Sequence, residues 1–298
     1  LASPLRDVYK RQSVKFMSEQ HPDAFSWKNC LSETGGSPLP DAVGFNVGEK
    51  GAGQRRIHVH GDAGHGSTPY GKDFAILKIG EVARRIAAAE PPVASNEIWE
   101  GFVKTFKFDP ETEAALIAGT GDYSKFGDLA AYAHAFSHTT IAETVLRAGG
   151  AINVLPSHAY LEMDIRPFPG QTQDELDDFL REALGDLADE VEIEHLITED
   201  ATQSSTDSKL WHAIEATSKE FFPDKDVVPV HATGGSDLRF ARRMGGNAYG
   251  FAMHAEARDM ASANSQLHSH DEHLYLEDLE LTVRAYDSLV TRFLSSEK

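Results

Sequence analysis

The alternation around residue 160 constrains this chain more than any other stretch. Leu161, Met163 and Ile165 take one parity while Tyr160, Glu162 and Asp164 take the other, ending at Arg166, which is the period of a strand with one buried face. Directly downstream, Thr172 and Glu175 have the spacing of a capping box and open a helix through Leu176, Phe179, Leu180 and Leu184. Upstream, Ile57 and Val59 alternate with His58 and His60. Ile76, Leu77, Ile79, Val82, Ala83 and Ile86 then recur at helical steps, with Asp73 the expected cap and Pro91-Pro92 the stop. Residues 139–147 add a strand, and Val191, Ile193 and Ile197 a last one. Between 55 and 199 the order is therefore strand, helix, strand, strand, helix, strand, the split arrangement of a small ferredoxin-like domain. It reads as a self-contained insertion.

The frame around it has a different texture. From Ser204 onward helices alternate with short apolar strands: a helix with Leu210, Trp211, Ile214 and Phe221, a parallel-type buried strand at 227–230 and another short strand at 246–251. A closing helix places Leu279, Val283, Tyr286, Val290 and Phe293 on what reads as a core-facing stripe. The stretch 93–137, with Trp99, Phe102, Phe106 and Phe108, reads as a hydrophobic insertion packed on the sheet and falls within the 55–199 domain. Its aromatics suit core packing better than a substrate wall. The expected class is α/β, with a frame at 13–54 and 200–298 and the inserted domain at 55–199. Residues 1–12 match neither a signal core nor the pattern that follows and read as a non-native segment. On that reading the natural N-terminus lies upstream, and a signal peptide falls outside what this sequence can test.

Charge narrows the partners. With 28 Lys and Arg against 47 Asp and Glu, the formal net charge is -19, which repels nucleic acid and anionic membrane and suits a small substrate or a cation. No apolar run approaches the ~18 residues that span a bilayer. The chain reads as soluble, with the cytoplasm the expected location. A single cysteine, Cys30, rules out an internal disulfide and thiolate zinc sites, so a hard-metal site would draw on carboxylates and the 14 histidines.

Four stretches hold candidate chemistry, each with an ordinary reading beside it. Gly64-His65-Gly66 sits where a strand gives way to a helix, and an imidazole there can donate to an oxyanion; a solvated loop histidine is the plain alternative. Leu31-Ser32-Glu33-Thr34-Gly35-Gly36 ends an apolar segment in a carboxylate and two glycines that could clear room for an ion, or in a simple turn glutamate. Gly234-Gly235-Ser236-Asp237 follows a strand and opens onto a helix, so its backbone amides could receive a carboxylate. Gln266 to His273 is a polar loop dense in histidine.

Taken in order, these stretches resemble one family, the dinuclear-zinc amidohydrolases and exopeptidases that include aminoacylase, acetylornithine deacetylase, succinyl-diaminopimelate desuccinylase and carboxypeptidase G. The stretches that carry the likeness over residues 13–298 are Leu-Ser-Glu-Thr-Gly-Gly (31–36), Gly-Glu-Lys-Gly with Gly-His-Gly-Ser-Thr-Pro (48–69), Asn-Val-Leu-Pro with Asp-Ile-Arg-Pro-Phe-Pro-Gly (153–170), Gly-Gly-Ser-Asp (234–237) and His-Ser-His-Asp-Glu (268–272). The resemblance implies a zinc-exopeptidase-like catalytic domain whose inserted ferredoxin-like domain serves as lid and dimerisation domain of a homodimer. It implies that Glu33 and His268 ligate metal, that His65 stabilises the oxyanion, and that Asn153, Arg166, Gly234 and Gly235 grip a small carboxylate-bearing substrate. Two Zn2+ ions, with Co2+ or Mn2+ as alternatives, are the implied cofactors. The family's His-x-Asp motif, bridging Asp and Glu-Glu pair have no counterpart upstream of Glu33; His60-Gly61-Asp62 has the letters of the first but sits in the lid strand. The visible chain is accordingly expected to be an N-terminally truncated fragment, weak in metal binding and inactive alone. A noncatalytic dimerisation or binding module is the alternative. A serine hydrolase built on Ser67 fits poorly, because the nucleophile elbow Gly-x-Ser-x-Gly is absent.

Overall fold

A computed structural model describes residues 14–94, 96–266, 270 and 272–295. In chain order it has helix α1 (14–20), strands β1 (Asn29–Ser32), β2 (Ser37–Pro38), β3 (Ala42–Glu49), β4 (Ala52–His60) and β5 (Gly64–His65), then helices α2 (Ala75–Ala88), α3 (Glu97–Lys104) and α4 (Pro110–Ile117). A 3-10 turn at Tyr123–Leu129 leads to α5 (Ala130–Ser137), β6 (Thr140–Ala148), β7 (Val154–Leu155), β8 (His158–Arg166), α6 (Gln173–Leu184) and β9 (Val191–Glu199). The remainder is β10 (Thr202–Gln203), α7 (Lys209–Phe221), β11 (Asp226–Ala232), α8 (Leu238–Arg243), β12 (Asn247–Gly250), α9 (Met260–Gln266) and α10 (Leu276–Ser295). These form two compact units. One draws on the chain up to Glu49, Ala94–Ser137 and the chain from Thr202; the other on Lys50–Val93 and His138–Ala201.

The second unit is the ferredoxin-like domain its sequence pattern predicts. Its sheet runs β6-β8-β4-β9 with every neighbour antiparallel. Ile57, Val59, Leu161, Met163 and Ile165 point to one face, where Ile79, Val82 and Ile86 of α2 and Leu176, Leu180 and Leu184 of α6 cover them. The capping box forms as spaced: Thr172 Oγ1 accepts from Glu175 N at 3.2 Å, and Glu175 Oε2 accepts from Thr172 N at 2.8 Å. Arg55, on the covered face and fully buried, donates from Nε to Asp177 Oδ1 at 2.8 Å and ties β4 to α6. At α2 the expected cap differs: Phe74 is the N-cap without a side-chain bond, and Asp73 instead accepts from Lys78 Nζ at 2.7 Å. The other face of the sheet is polar, presenting Gln54, Arg56, His58, His60, Tyr160, Glu162 and Glu194.

The first unit holds a parallel pair, β3 with β11, flanked by β10 and β2, and a second parallel pair, β1 with β12. Its core joins Phe45 and Val47 of β3, Val228 and Val230 of β11, Trp211, Tyr249 and Phe251 to an aromatic group from 94–137. That last stretch corrects the domain reading. Residues 94–137 pack in the first unit, not on the ferredoxin-like sheet, because Trp99, Phe102, Phe126 and Phe136 find their apolar partners around β3 and β11. A second correction falls on α10. Its buried residues are Asp278, Ala285 and Leu289; of the expected stripe Tyr286 and Phe293 pack against the core, whereas Leu279, Val283 and Val290 are 44%, 60% and 47% exposed. No helix among the described residues is long and apolar enough to cross a membrane.

The two segments of the ferredoxin-like unit close on each other where 94–137 leaves it. Val93 and His138 form an antiparallel bridge, Thr139 N donates to Pro92 O at 3.0 Å, and buried Lys50 donates from Nζ to His138 O at 2.8 Å and Thr140 Oγ1 at 3.0 Å. With its own core and closed ends, a protein joining 50–93 to 138–201 through a short glycine turn is expected to fold alone. A single cooperative melt with dispersed amide resonances is the expected result; a chain without a cooperative transition would contradict it.

Candidate functional site

In the ferredoxin-like unit, β5 pairs with β7 so that His65 lies opposite Val154, and Gly66 N donates to Asn153 O at 2.8 Å. His65 and Asn153 are thus brought side by side, both exposed. His65 Nδ1 accepts from Ser67 N at 3.2 Å and lies 2.7 Å from Ser67 Oγ. A backbone N–H can only donate, so Nδ1 carries the lone pair and, in the neutral ring, Nε2 carries the proton. That nitrogen is the donor an oxyanion contact requires.

Arg166 is placed elsewhere. It stands at the far end of β8, and the eight residue steps from His158 to Arg166 correspond to about 27 Å of strand, whereas β7 and His65 lie near the start of β8. Its fork is engaged by its own strand, Nε to Asp164 Oδ1 at 2.8 Å and Nη2 to Asp164 Oδ2 at 3.1 Å. Within this unit, then, the structure groups His65 with Asn153 and leaves Arg166 apart.

In the first unit, Glu33 follows β1, is exposed, and accepts from Ser32 Oγ at 2.5 Å. The two glycines after it serve the backbone: a Cβ at Gly35 would sit 2.5 Å from Gly250 O, and one at Gly36 would sit 1.8 Å from Ala252 O. They let the turn press against the end of β12, a different role from clearing room for an ion. His268 lies outside the described residues. Nearby, His254 holds Asp278 Oδ2 at 3.2 Å through Nδ1, and Arg258 shares that carboxylate.

Gly234 and Gly235 are exposed at the end of β11. Their loop is fixed by Glu49, which the sequence reading quoted in its Gly-Glu-Lys-Gly stretch without giving it a role, and whose side chain is almost fully buried. Glu49 pairs with Ala232 in register, and its Oε2 accepts from both the N–H and the hydroxyl of Ser236 at 2.5 Å. Burial pushes its carboxyl up, against the lowering pull of Ser236 and of Arg242, whose Nη1 is 3.8 Å away. The hint in the sequence was its place in the Gly-Glu-Lys-Gly stretch that carries part of the family resemblance.

His231, just ahead of the loop, is buried and sits 2.8 Å through Nε2 from Gln203 Oε1. Burial, then the charge of Arg242, lowers its ring from 6.5 to about 3. Between those values the unfolded chain binds a proton that the folded chain refuses, so stability rises with pH across this window and is lost as pH falls through it. His231→Asn is expected to flatten the slope of Tm against pH between 4 and 6.5. An unchanged slope would assign the acid sensitivity to other groups.

No group of three or more His, Cys, Asp or Glu among the described residues is arranged to hold a metal ion. Glu33 alone does not make a zinc site, which takes three or four protein ligands. The described residues therefore do not fit a dinuclear centre by themselves.

With this geometry in place, the comparisons agree with the motif order. Residues 47–192 match the peptidase dimerisation domain of the M20 type. A Dictyostelium discoideum protein described as "Probable carboxypeptidase S-like 2" is 30% identical over 159 residues, covering 52% of this chain and 30% of that protein. The Xenopus tropicalis N-fatty-acyl-amino acid synthase/hydrolase PM20D1 is 25% identical over 249 residues, covering 81% of this chain and 48% of that protein. Among solved structures, the M20 family metallo-carboxypeptidase Sso-CP2 of Sulfolobus solfataricus superposes with a TM-score of 0.59 at 13% identity, covering 94% of this chain and 72% of that one. Aminopeptidase PepT of Bacillus cereus gives 0.61 at 11% identity, covering 96% and 62%.

Residues 47–192 are a peptidase dimerisation domain of the M20 type, and the chain shares its fold with the solved M20 metallo-carboxypeptidase. The family resemblance read from the motifs is borne out: this chain carries an M20 peptidase dimerisation domain, and its relatives include M20 peptidases and hydrolases. It spans between 30% and 48% of the length of the curated relatives it matches.

Proposed function

We propose that this chain is the lid-bearing portion of a metal-dependent hydrolase that cleaves an amide or peptide bond in a small carboxylate-bearing substrate, an N-acyl amino acid or a dipeptide. The observation that carries the reading is His65: exposed, on the matched dimerisation domain, with Nδ1 engaged by Ser67 so that Nε2 carries the proton of the neutral ring. Such a donor stabilises the oxyanion that develops when an amide carbonyl is attacked. Asn153 beside it, Arg166, and the Gly234-Gly235 loop braced by Glu49 are the groups assigned to substrate. Glu33 and His268 are this chain's assigned ligands to two zinc ions; the remaining ligands and the general base lie upstream in this reading, and the visible chain alone is inactive.

The partner we assign is a second copy, docked through the dimerisation domain. Strand β6 is an edge of its sheet, and an edge offers unpaired backbone groups to another strand. Beside it Ile76 and Leu77 of α2, Leu146 of β6 and the fully exposed Ile152 leave apolar surface in water.

The test is to express the chain with the rest of its reading frame and to measure sedimentation, zinc content and hydrolysis of N-acyl amino acids and dipeptides. A zinc-loaded dimer that hydrolyses them is the expected outcome. A dimer that neither holds zinc nor hydrolyses any of them would sink the hydrolase reading and leave a dimerisation module.

A further inference from the structure

The described part of the first unit leaves ten large apolar side chains exposed; Phe16, Phe25 and Met244 lie apart, and the other seven fall between Leu274 and Leu294. Scattered singly, such residues need no explanation, but a contiguous run marks an interaction surface. Five of the seven, Leu276, Leu279, Val283, Val290 and Leu294, sit on α10 at steps of three, four, seven and four residues. At about 100° per residue they share an arc of roughly 60°, and the stripe runs about 27 Å along the helix. Leu276 and Leu294, its two ends, are 81% and 56% exposed.

The core does not use this stripe. Asp278, Ala285 and Leu289, the buried residues of α10, point about 130° away around the helix. On that side α10 meets α7, where Ser288 Oγ and Arg292 Nη2 each donate to Glu220 Oε2 at 2.6 Å. Apolar residues repeating at three and four positions suit a second helix laid alongside, whereas an extended strand would meet alternate residues. Glu280 and Asp287, both exposed, border the stripe within about 40° of its edge, so the occupant needs basic residues along that side. The same acids disfavour a second copy. The chain carries a net charge of -19, and two such stripes packed antiparallel would run the acidic border of one copy along that of the other.

We propose that the stripe on α10 is the docking face for a helix of the polypeptide's own upstream portion, apolar on one side and basic where it passes Glu280 and Asp287. This docking rests on the proposed function, which places further chain upstream. The chain spans at most 48% of the length of its curated relatives, so the remainder is long enough for such a helix many times over. Docked there, the helix buries the stripe and ties the portion assigned the remaining metal ligands to the unit that carries Glu33.

Thiol labelling tests this without an activity assay. Cys30→Ala removes the chain's one native cysteine, and Val283→Cys or Val290→Cys then puts a thiol on the stripe. Maleimide labelling at that site, read by peptide mass, is followed in the 298-residue chain and in the protein extended by the rest of its reading frame. Both are measured at low and high concentration, with circular dichroism as the check of folding. Labelling is expected to be fast in the chain and slower by about tenfold or more in the extended protein, at either concentration. Adding Glu280→Lys/Asp287→Lys to the extended protein should speed it again. Equal rates in the two proteins, slow labelling already in the chain, slowing that grows with concentration, a rate untouched by the charge reversal, or a reading frame that adds no upstream helix would each overturn the proposal. Zinc content and hydrolysis by the extended wild type report separately on the hydrolase reading: a covered stripe without zinc would keep the docking face and lose the hydrolase, and an active enzyme with an open stripe would do the reverse.

Discussion

His65→Ala, made in the chain extended by the rest of its reading frame, is expected to lower turnover by about 10²- to 10³-fold, the size of effect seen when one oxyanion donor is removed. Zinc content should stay at the wild-type level, because His65 sits on the ferredoxin-like unit with its Nδ1 already engaged by Ser67. Turnover and bound metal, measured on the same preparation, check this. Glu33→Ala and His268→Ala should behave in the opposite order, losing zinc first and activity as a consequence. Parallel loss of zinc in His65→Ala would show that a ligand had been mistaken for a donor. Retained zinc in both of the others would refute their assignment.

The second large effect is structural. Trp99 is fully buried, stacks near Phe102, Tyr123 and Phe126, meets Phe136 edge-on at 5.5 Å, and donates from Nε1 to Leu116 O at 3.1 Å. Trp99→Ala removes those contacts and the indole bond to the Leu116 carbonyl, which keeps Gly119 N as a donor, so a loss of about 3–5 kcal/mol, mostly from lost packing, is expected. Denaturant titration of the intact chain should show the loss in a transition carrying tryptophan signal, since all three tryptophans lie in the first unit. The ferredoxin-like unit should unfold where it did before. A shift of that second transition instead would return 94–137 to the inserted domain.

The inserted domain was legible because its signals are local. The alternation of 160–165, the Thr172/Glu175 spacing and the helical repeat from 76 to 86 each specify one element without reference to the rest. Strand β3 was not legible. It is buried along most of its length, and Gly44 and Gly48 interrupt its apolar run; at Gly48 the Thr202 carbonyl comes within 2.8 Å of where a Cβ would sit. For 94–137, aromatic content predicts burial but carries no address, and only tertiary contacts assign it to one core. In α10 periodicity announced an amphipathic helix yet not which stripe faces inward; the anchor is Asp278, through Arg258, His254 and Ala255 N, a residue that hydrophobicity ignores. On β8, Asp164 and Arg166 share one parity, yet the reading gave Arg166 to substrate and did not foresee that Asp164 holds its fork. The grip of Glu49 on Ser236 was not legible either, because it joins residues 187 positions apart.

The central position of β4 in its sheet sets the order in which the polypeptide can acquire structure as it leaves the ribosome. At roughly 5–20 residues per second, β4 emerges well before β8 and β9, the two strands that flank it, and the aromatic segment 94–137 emerges in between. During those seconds both edges of β4 and the apolar side of α2 are exposed to whatever else is nearby. The nascent chain is most vulnerable there, and a chaperone that recognises apolar, strand-forming segments would find its best target between Ala52 and Ile86.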